Sequence, residues 1–282
     1  GGAAIDVYES EPPAEDDPLR THPKVLVTPH LGASTTEAQE AVSTDACAQI
    51  LEFLRGEGIR GAVNLGGVRL DLDPTQARFV DLAQRMAQLI APMCEQGVGD
   101  VTVTLEGETL SGVASTIERM TVIALLQSSM DVPVNLVNVQ LLAQQRGIKH
   151  RTTFVDEKRT TPKVTIEVAG GEKKRKIMGS VFADGRPRVL EINGYGMDMV
   201  PAGPMLLLQN QDRPGMVGLV GNELGNAETN IADMALSRRD DTALMVLKLD
   251  AMPDEKLMNR LRARPGILKA LAVKLPALEA AD

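Results

Sequence analysis

Aromatic side chains are scarce: four Phe, two Tyr and no Trp make up 2% of 282 residues. That scarcity removes the stacking platforms on which single-stranded nucleic acid is held. Positive charge is also in deficit. Thirty Lys and Arg against 38 Asp and Glu leave a net charge of -8, which opposes general attraction to nucleic-acid phosphates or anionic membranes. No nucleic-acid or membrane partner is expected, and no apolar run reads as long enough to span a bilayer. The two cysteines, Cys47 and Cys94, fall in apolar helical patterns and read as reduced core thiols of a cytoplasmic protein. No Cys or His cluster has ligand spacing, so no metal site is expected. The chain also lacks an initiator Met and a signal-like segment, opening Gly-Gly-Ala-Ala-Ile. Ala3 to Tyr8 already reads as a strand, so the chain is expected to open inside a larger folded domain.

What is present centres on Thr28-Pro29-His30-Leu31-Gly32-Ala33-Ser34-Thr35-Thr36-Glu37. Val25-Leu26-Val27 before it is a short apolar run, the pattern of a buried parallel strand. Pro29 cannot continue a central ladder. His30 then falls at the carboxyl end of a strand, the edge where open α/β sheets put their ligands. Ser34 and Glu37 have capping-box spacing. The following helix carries Ala38, Ala41, Val42, Ala46, Ile50, Phe53 and Leu54 on its apolar side. A loop histidine without a role is the competing reading. Glu11 sharpens the choice, because a catalytic imidazole needs a carboxylate on its far nitrogen to fix the tautomer and stabilise the imidazolium. Both residues follow strand ends and can meet on one sheet edge. Glu15, Asp16 and Asp17 read as a solvated loop.

The two blocks Ala3-Ala4-Ile5-Asp6-Val7-Tyr8-Glu9-Ser10-Glu11-Pro12 and Val27-Thr28-Pro29-His30-Leu31-Gly32-Ala33-Ser34-Thr35-x-Glu37-Ala38-Gln39 resemble the closing signature of the D-isomer-specific 2-hydroxyacid dehydrogenases. The Gly-Ala-Ser-Thr-x-Glu-Ala-Gln form is most similar to the phosphoglycerate dehydrogenases among them. The resemblance implies NAD as cofactor and 3-phosphoglycerate as substrate. It implies His30 as acid/base, Glu11 as its partner, Asp6 near the nicotinamide end of the cofactor, and Gly32 as the small residue that lets backbone approach the nicotinamide. The arginine that clamps the substrate carboxylate and the phosphate-cradling glycines are expected upstream of residue 1. Gly56-Glu57-Gly58-Ile59-Arg60-Gly61 matches Gly-x-Gly-x-x-Gly by letter, but it follows a helix and opens none. It reads as a helix stop and linker. Gly61 to Gly67 reads as the return segment to a substrate domain.

Residues 67–202 read as an α+β domain. Asp73-Pro74 starts a helix, Val101 to Leu105 alternates as a strand, and helices follow over about 115–126 and 136–146. Lys163 to Val168 and Arg175 to Phe182 form a hairpin turned at Ala169-Gly170-Gly171-Glu172. The run Lys173-Lys174-Arg175-Lys176 reads as a solvated strand edge that resists pairing. Its sharper reading is an anion site for a phosphorylated effector. Val134-Asn135-Leu136-Val137-Asn138-Val139, Leu141-Leu142-Ala143-x-x-Arg146-Gly147-Ile148 and Glu191-Ile192-Asn193-Gly194-Tyr195 resemble the intervening, allosteric-substrate-binding-like domain of long phosphoglycerate dehydrogenases. Some members of that family bind an anionic effector or the substrate there. Arg146 and Lys149 are the candidate contacts that this resemblance implies.

Residues 203–282 give a βαββαβ pattern, the ferredoxin-like split βαβ. The motif Asn210-x-Asp212-x-Pro214-Gly215-x-Val217-Gly218-x-Val220-Gly221 with Asn230-Ile231 resembles ACT regulatory domains. That implies an amino-acid effector, commonly L-serine, at Asn210, Asp212, Gly215 and Asn230. A capped turn without ligand is the competing reading. Asn210 stands where members often carry His or Tyr. The expected whole is a Rossmann-type tail (1–66), an intervening domain (67–202) and an ACT domain (203–282) of a homo-oligomeric (dimeric or tetrameric) NAD-dependent enzyme, with this portion inactive alone. A non-catalytic amino-acid-binding regulator or an oligomerisation protein is the alternative.

Overall fold

The computed structural model describes residues 1–55, 59–62, 68, 71–155, 161–171 and 173–278. The chain divides into two compact units, Gly1–Asn64 and Leu65–Asp282. In the first, β1 (Ala3–Ile5) pairs in parallel with β2 (Val25–Val27) in the register Ala3↔Val25 to Ile5↔Val27. The strand expected to reach Tyr8 stops at Ile5, because the Asp6 carboxylate is bonded sideways to the loop after β2. Within the acidic loop, Asp17 accepts from Leu19 N at 2.9 Å and Pro18 occupies the first turn of the short helix α1 (Pro18–Thr21).

Helix α2 spans Thr36–Arg55. Thr35, not Ser34, caps it: Thr35 Oγ1 accepts from Ala38 N at 3.1 Å, while Ser34 N donates to Leu31 O in the preceding turn. No residue of α2 is buried, and Val42, Ile50 and Leu54 are 58%, 58% and 73% exposed. Cys47 is exposed rather than a core thiol, and Cys94 is half-buried. After α2, Arg60 folds back to Asp45 (3.0 Å) and Glu52 (3.2 Å). Gly56 and Gly58 of the Gly-x-Gly-x-x-Gly run lie outside the described residues, as do Val63 to Gly67 of the expected return segment and Glu172 of the hairpin turn.

The second unit opens on α3 (Pro74–Ile90). Asp73 accepts from Thr75 N and Gln76 N, and Gln76 Oε1 reciprocates to Asp73 N, a complete capping box. Its buried face carries Phe79, Leu82, Met86, Leu89 and Ile90. Then come β3 (Asp100–Glu106), α4 (Ala114–Gln127), α5 (Val139–Gln145), β4 (Lys149–Val155), β5 (Lys163–Gly170), β6 (Lys173–Val181), β7 (Pro187–Ile192) and β8 (Tyr195–Met199). They form one sheet in the order β4-β3-β5-β6-β7-β8. Only β3 and β4 run parallel, joined through α4 and α5. Strand β4 leaves no apolar run in the sequence, because its residues are half-buried or exposed. The basic run does not form the expected strand edge: β6 is an inner strand, with Lys176 opposite Glu167 on β5 and bonded to Glu191 of β7 at 3.2 Å. Asn193 and Gly194, both left-handed (φ 51° and 85°), make the tight turn that adds β8. The stretch Glu108–Gln127 has the length and apolar composition of a membrane span, contrary to expectation. Its Ile117, Val122, Leu125 and Leu126 are core residues of this unit.

The last elements are β9 (Gly203–Gln211), α6 (Met216–Gly225), β10 (Ile231–Arg239), β11 (Thr242–Leu249), α7 (Glu255–Ala263) and β12 (Ile267–Leu275). Their antiparallel sheet has the order β10-β11-β9-β12, the split βαβ arrangement expected from the sequence. Leu206, Leu208, Met245 and Leu247 face α6 and α7 in one core. Met205, Leu207, Leu244 and Val246 face the other way, into the core built around α3. The sheet is therefore covered on both faces, and β9 reads Met-Leu-Leu-Leu without alternation for that reason. Glu223 of α6, 4% exposed, bonds Arg260 at 3.1 Å and also Arg264, joining α6 to α7 and its C-terminus. Both guanidiniums, Arg264 foremost, hold its carboxyl below the usual range.

Arg85 is the buried connector of the second unit. It bonds Asp81 at 2.7 Å, Pro201 O at 3.2 Å, Pro276 O at 2.6 Å and Ala277 O at 3.1 Å. Arg85→Met keeps much of the volume but strands those carbonyls. It should cost about 2–4 kcal/mol in urea unfolding, comparable to Leu82→Ala in the core at about 2–5 kcal/mol; a loss below about 0.5 kcal/mol would show that the carbonyls find other donors.

Candidate active site

The carboxyl ends of β1 and β2 lie side by side, and the residues leaving them form the site. Asp6 follows β1 directly. Its Oδ1 accepts from Thr28 Oγ1 (2.5 Å) and Leu31 N (2.7 Å), and its Oδ2 accepts from Gly32 N (2.8 Å). Three donors to one carboxylate, Thr28 the strongest, lower its pKa. To present consecutive N–H groups to Asp6 the chain turns at His30, whose φ is +57°, an uncommon left-handed value for a side chain of this size. A Cβ at Gly32 would stand 3.3 Å from Asp6 Oδ2, so the absent side chain permits this close approach.

Glu11 reaches the same place from the loop. Its Oε1 accepts from Tyr8 N at 3.1 Å, and its Oε2 lies 2.7 Å from His30 Nδ1. Tyr8 also donates its hydroxyl to Thr28 O at 3.1 Å. A carboxylate on Nδ1 assigns the proton to that nitrogen and leaves Nε2 as the free acceptor in the neutral ring. The hydrogen bond to Glu11, then its charge, raises the His30 pKa above 6.5, with Asp6 adding to it. The same contact, with Tyr8 N–H, lowers that of Glu11. The His30 and Glu11 side chains are 55% and 36% exposed. Such a pair can take or give a proton at Nε2 at an open sheet edge. Tyr8 and Thr28 belong to this frame without any motif of their own to mark them. Their positions, three residues before Glu11 and two before His30, are the only signal.

The residues expected to hold an effector are not gathered in one chain. Asn210 is 2% exposed, with Nδ2 bonded to Gln211 O and its Oδ1 unpartnered among the described residues. Asp212 is bonded to Arg238 at 2.6 and 2.7 Å. Gly215, at φ +90°, opens α6. Asn230 bonds Asp250 at 3.0 Å. Asn210 faces Ala243 at the start of β11, whereas Asn230 pairs with Asp250 just past its end. At about 3.3 Å per residue, the two ends stand roughly 20 Å apart.

With this geometry in place, two family models match the chain: "D-isomer specific 2-hydroxyacid dehydrogenase, NAD binding domain" over residues 1–32, and "D-3-phosphoglycerate dehydrogenase intervening domain" over residues 76–193. The chain belongs to the D-isomer-specific 2-hydroxyacid dehydrogenases. Residues 1–32 carry a tail of the Rossmann-type NAD-binding domain, and an intervening domain of that family follows over residues 76–193. The D-3-phosphoglycerate dehydrogenase of Bacillus subtilis is 31% identical over 278 residues, covering 98% of this chain and 53% of the relative. That of Methanocaldococcus jannaschii is 30% identical over 275 residues, covering 97% and 52%, and that of Synechocystis 31% over 281 residues, covering 98% and 50%. The chain thus spans about half the length of the curated relatives it matches. Among solved structures, the ACT domain from the GTP pyrophosphokinase of Chlorobium tepidum covers 26% of this chain and 97% of its own, at 19% identity and a TM-score of 0.23.

Glu11→Gln should lower the His30 pKa toward 6.5, because it removes the charge while keeping the shape. Proton NMR of the imidazoles, three in the chain, reads this directly. An unchanged His30 titration would sink the proposed coupling.

Proposed function

We propose that this chain is the C-terminal half of an NAD-dependent D-3-phosphoglycerate dehydrogenase, which oxidises 3-phosphoglycerate to 3-phosphohydroxypyruvate on the way to L-serine. The observation that carries the reading is the 2.7 Å contact between His30 Nδ1 and Glu11 at the carboxyl edge of two parallel strands. The residues present fit the nicotinamide end of the cofactor: Gly32 leaves backbone bare beside Asp6 and His30 on an open edge. The phosphate cradle is assigned to the half of the enzyme that this chain does not span. When bound, NAD supplies the hydride acceptor. His30 Nε2 takes the proton of the substrate hydroxyl, and Glu11 holds the ring through Nδ1 and stabilises the imidazolium. Asp6 fixes the loop that carries His30. Because the His30 pKa is raised, its neutral form is filled only above that pKa. Oxidation therefore gains speed as pH rises through it, and the protonated form serves as acid in the reverse direction.

The working domains are 1–66, 67–202 and 203–282, the last an ACT-type regulatory domain. Its effector is a free amino acid, with L-serine, the end product of the pathway, as the choice that the resemblance implies. Asn230 stands at the far end of the sheet from Asn210 and Asp212, so a site using both draws on a second copy of the chain, which supports a homo-oligomer. Arg238 engages Asp212 through Oδ2, so an ammonium group at that carboxylate competes with its guanidinium.

In the complete enzyme, His30→Gln should cut kcat by about 10³-fold or more while NAD binding stays within a few-fold, read by steady-state rates and cofactor titration. Near-normal turnover would refute the assignment. Calorimetry with L-serine should give a saturable heat that Asp212→Asn weakens about tenfold; a flat titration would remove the amino-acid effector from the reading.

A further inference from the structure

Glu11 stands on an exposed loop with little to hold it. Residues 9–12 are all exposed, and among the described residues 9–13 make no hydrogen bond except the two at Glu11. One of those runs to His30 itself. The other comes from Tyr8 N at 3.1 Å. His30 is anchored elsewhere. Two residues before it, Thr28 N donates to Ile5 O at 3.0 Å and keeps the chain on the strand pair. Just beyond it, Asp6 accepts from Leu31 N and Gly32 N. The carboxylate and the imidazole therefore rest on separate supports. A hydrogen bond between them weakens steeply once its distance or angle drifts, so something must hold the two supports in register.

Tyr8 is placed to do so. It is half-buried, while Val7 before it is exposed. Its hydroxyl donates to Thr28 O at 3.1 Å, across 20 positions of sequence. With the 2.7 Å contact between Glu11 and His30 this closes a circuit: Glu11 on Tyr8 N–H, the Tyr8 hydroxyl on Thr28, Thr28 through Pro29 to His30, and His30 back to Glu11. The covalent step in it is short and stiff, because Pro29 fixes its own φ. The phenol is stiff as well, since it turns on only two torsions. Opening the circuit at the hydroxyl leaves Glu11 tied to the His30 side by the imidazole alone. We infer that Tyr8 is a positioning residue for His30: its hydroxyl sets where Glu11 meets Nδ1. It acts through Glu11, and its role in turnover rests on the acid/base function proposed for His30.

Tyr8→Phe keeps the ring and removes only the hydroxyl. In the complete enzyme it should lower kcat for oxidation about 3- to 10-fold, the worth of one hydrogen bond, with KM for substrate and NAD changed less than about twofold. Glu11 holds the His30 pKa up, so a looser contact lets it fall. The acid limb of the kcat profile should then move to lower pH. In a Glu11→Gln background the same change should cost less than about twofold further, because a residue that acts through Glu11 has nothing left to act on. In this chain, proton NMR should show the His30 titration of Tyr8→Phe moved toward 6.5, a readout that needs no turnover and so holds whether or not the proposed reaction is right. Turnover and His30 titration both unchanged by Tyr8→Phe, with His30→Gln inactive, would overturn the positioning role and leave the dehydrogenase reading intact. A kcat loss with an unmoved acid limb, or losses that multiply in the double variant, would also overturn it, since either marks a role in folding alone or one independent of Glu11.

Discussion

The Asp6 carboxylate is the constraint on which the candidate active site depends. A strand end and a loop cannot by themselves aim a histidine. Here one carboxylate collects Thr28 Oγ1, Leu31 N and Gly32 N, and so fixes the chain on both sides of His30. The left-handed turn at His30 is the conformational cost of that arrangement. Glu11 is fixed in parallel, by Tyr8 N–H from one side and the imidazole from the other. Tyr8 then ties the two networks together through Thr28 O. Residues that look like separate signature positions act as one hydrogen-bonded frame.

The second unit is organised by a different constraint, the need to cover a sheet on both faces. The β9 run Met205-Leu206-Leu207-Leu208 sends alternate side chains into two cores. Where α3 crosses the six-stranded sheet the fit is tight: a Cβ on Gly179 of β6 would meet Arg188 O and Met86 S, each at 2.7 Å. The bare glycine lets the helix come down on the strand. Arg85 then spends its donors on the segments leaving both sheets, so the two sheets meet through apolar contact and through buried hydrogen bonds.

Much of this was legible in the sequence because the signals were local. Asp73-Pro74 with Gln76 names a helix start wherever it occurs, and the order of strands and helices after residue 203 admits few ways of pairing. His30 and Glu11 could be paired because both follow strand ends. What escaped depends on the third dimension. Whether β6 is an edge depends on β7 and β8 arriving later, so the basic run was misjudged. Nothing in the α2 pattern says whether its apolar side will be covered, so Cys47 was placed in a core it does not reach. Asn210 and Asn230 share a motif, yet antiparallel pairing sends them to opposite ends of β11.

The His30–Glu11 pair also illustrates how exposure limits tuning. The pKa of His30 rises first through a hydrogen bond and second through charge, while desolvation works against it. With side chains 55% and 36% exposed, the coulombic part is screened by water. Any group that displaced water from this edge would lower the local dielectric and strengthen the attraction between imidazolium and carboxylate. The hydrogen bond needs no such help, because its geometry is already set by Tyr8 and by the turn at His30. Orientation is therefore built into the open edge, whereas the electrostatic strength of the pair depends on how much water reaches it.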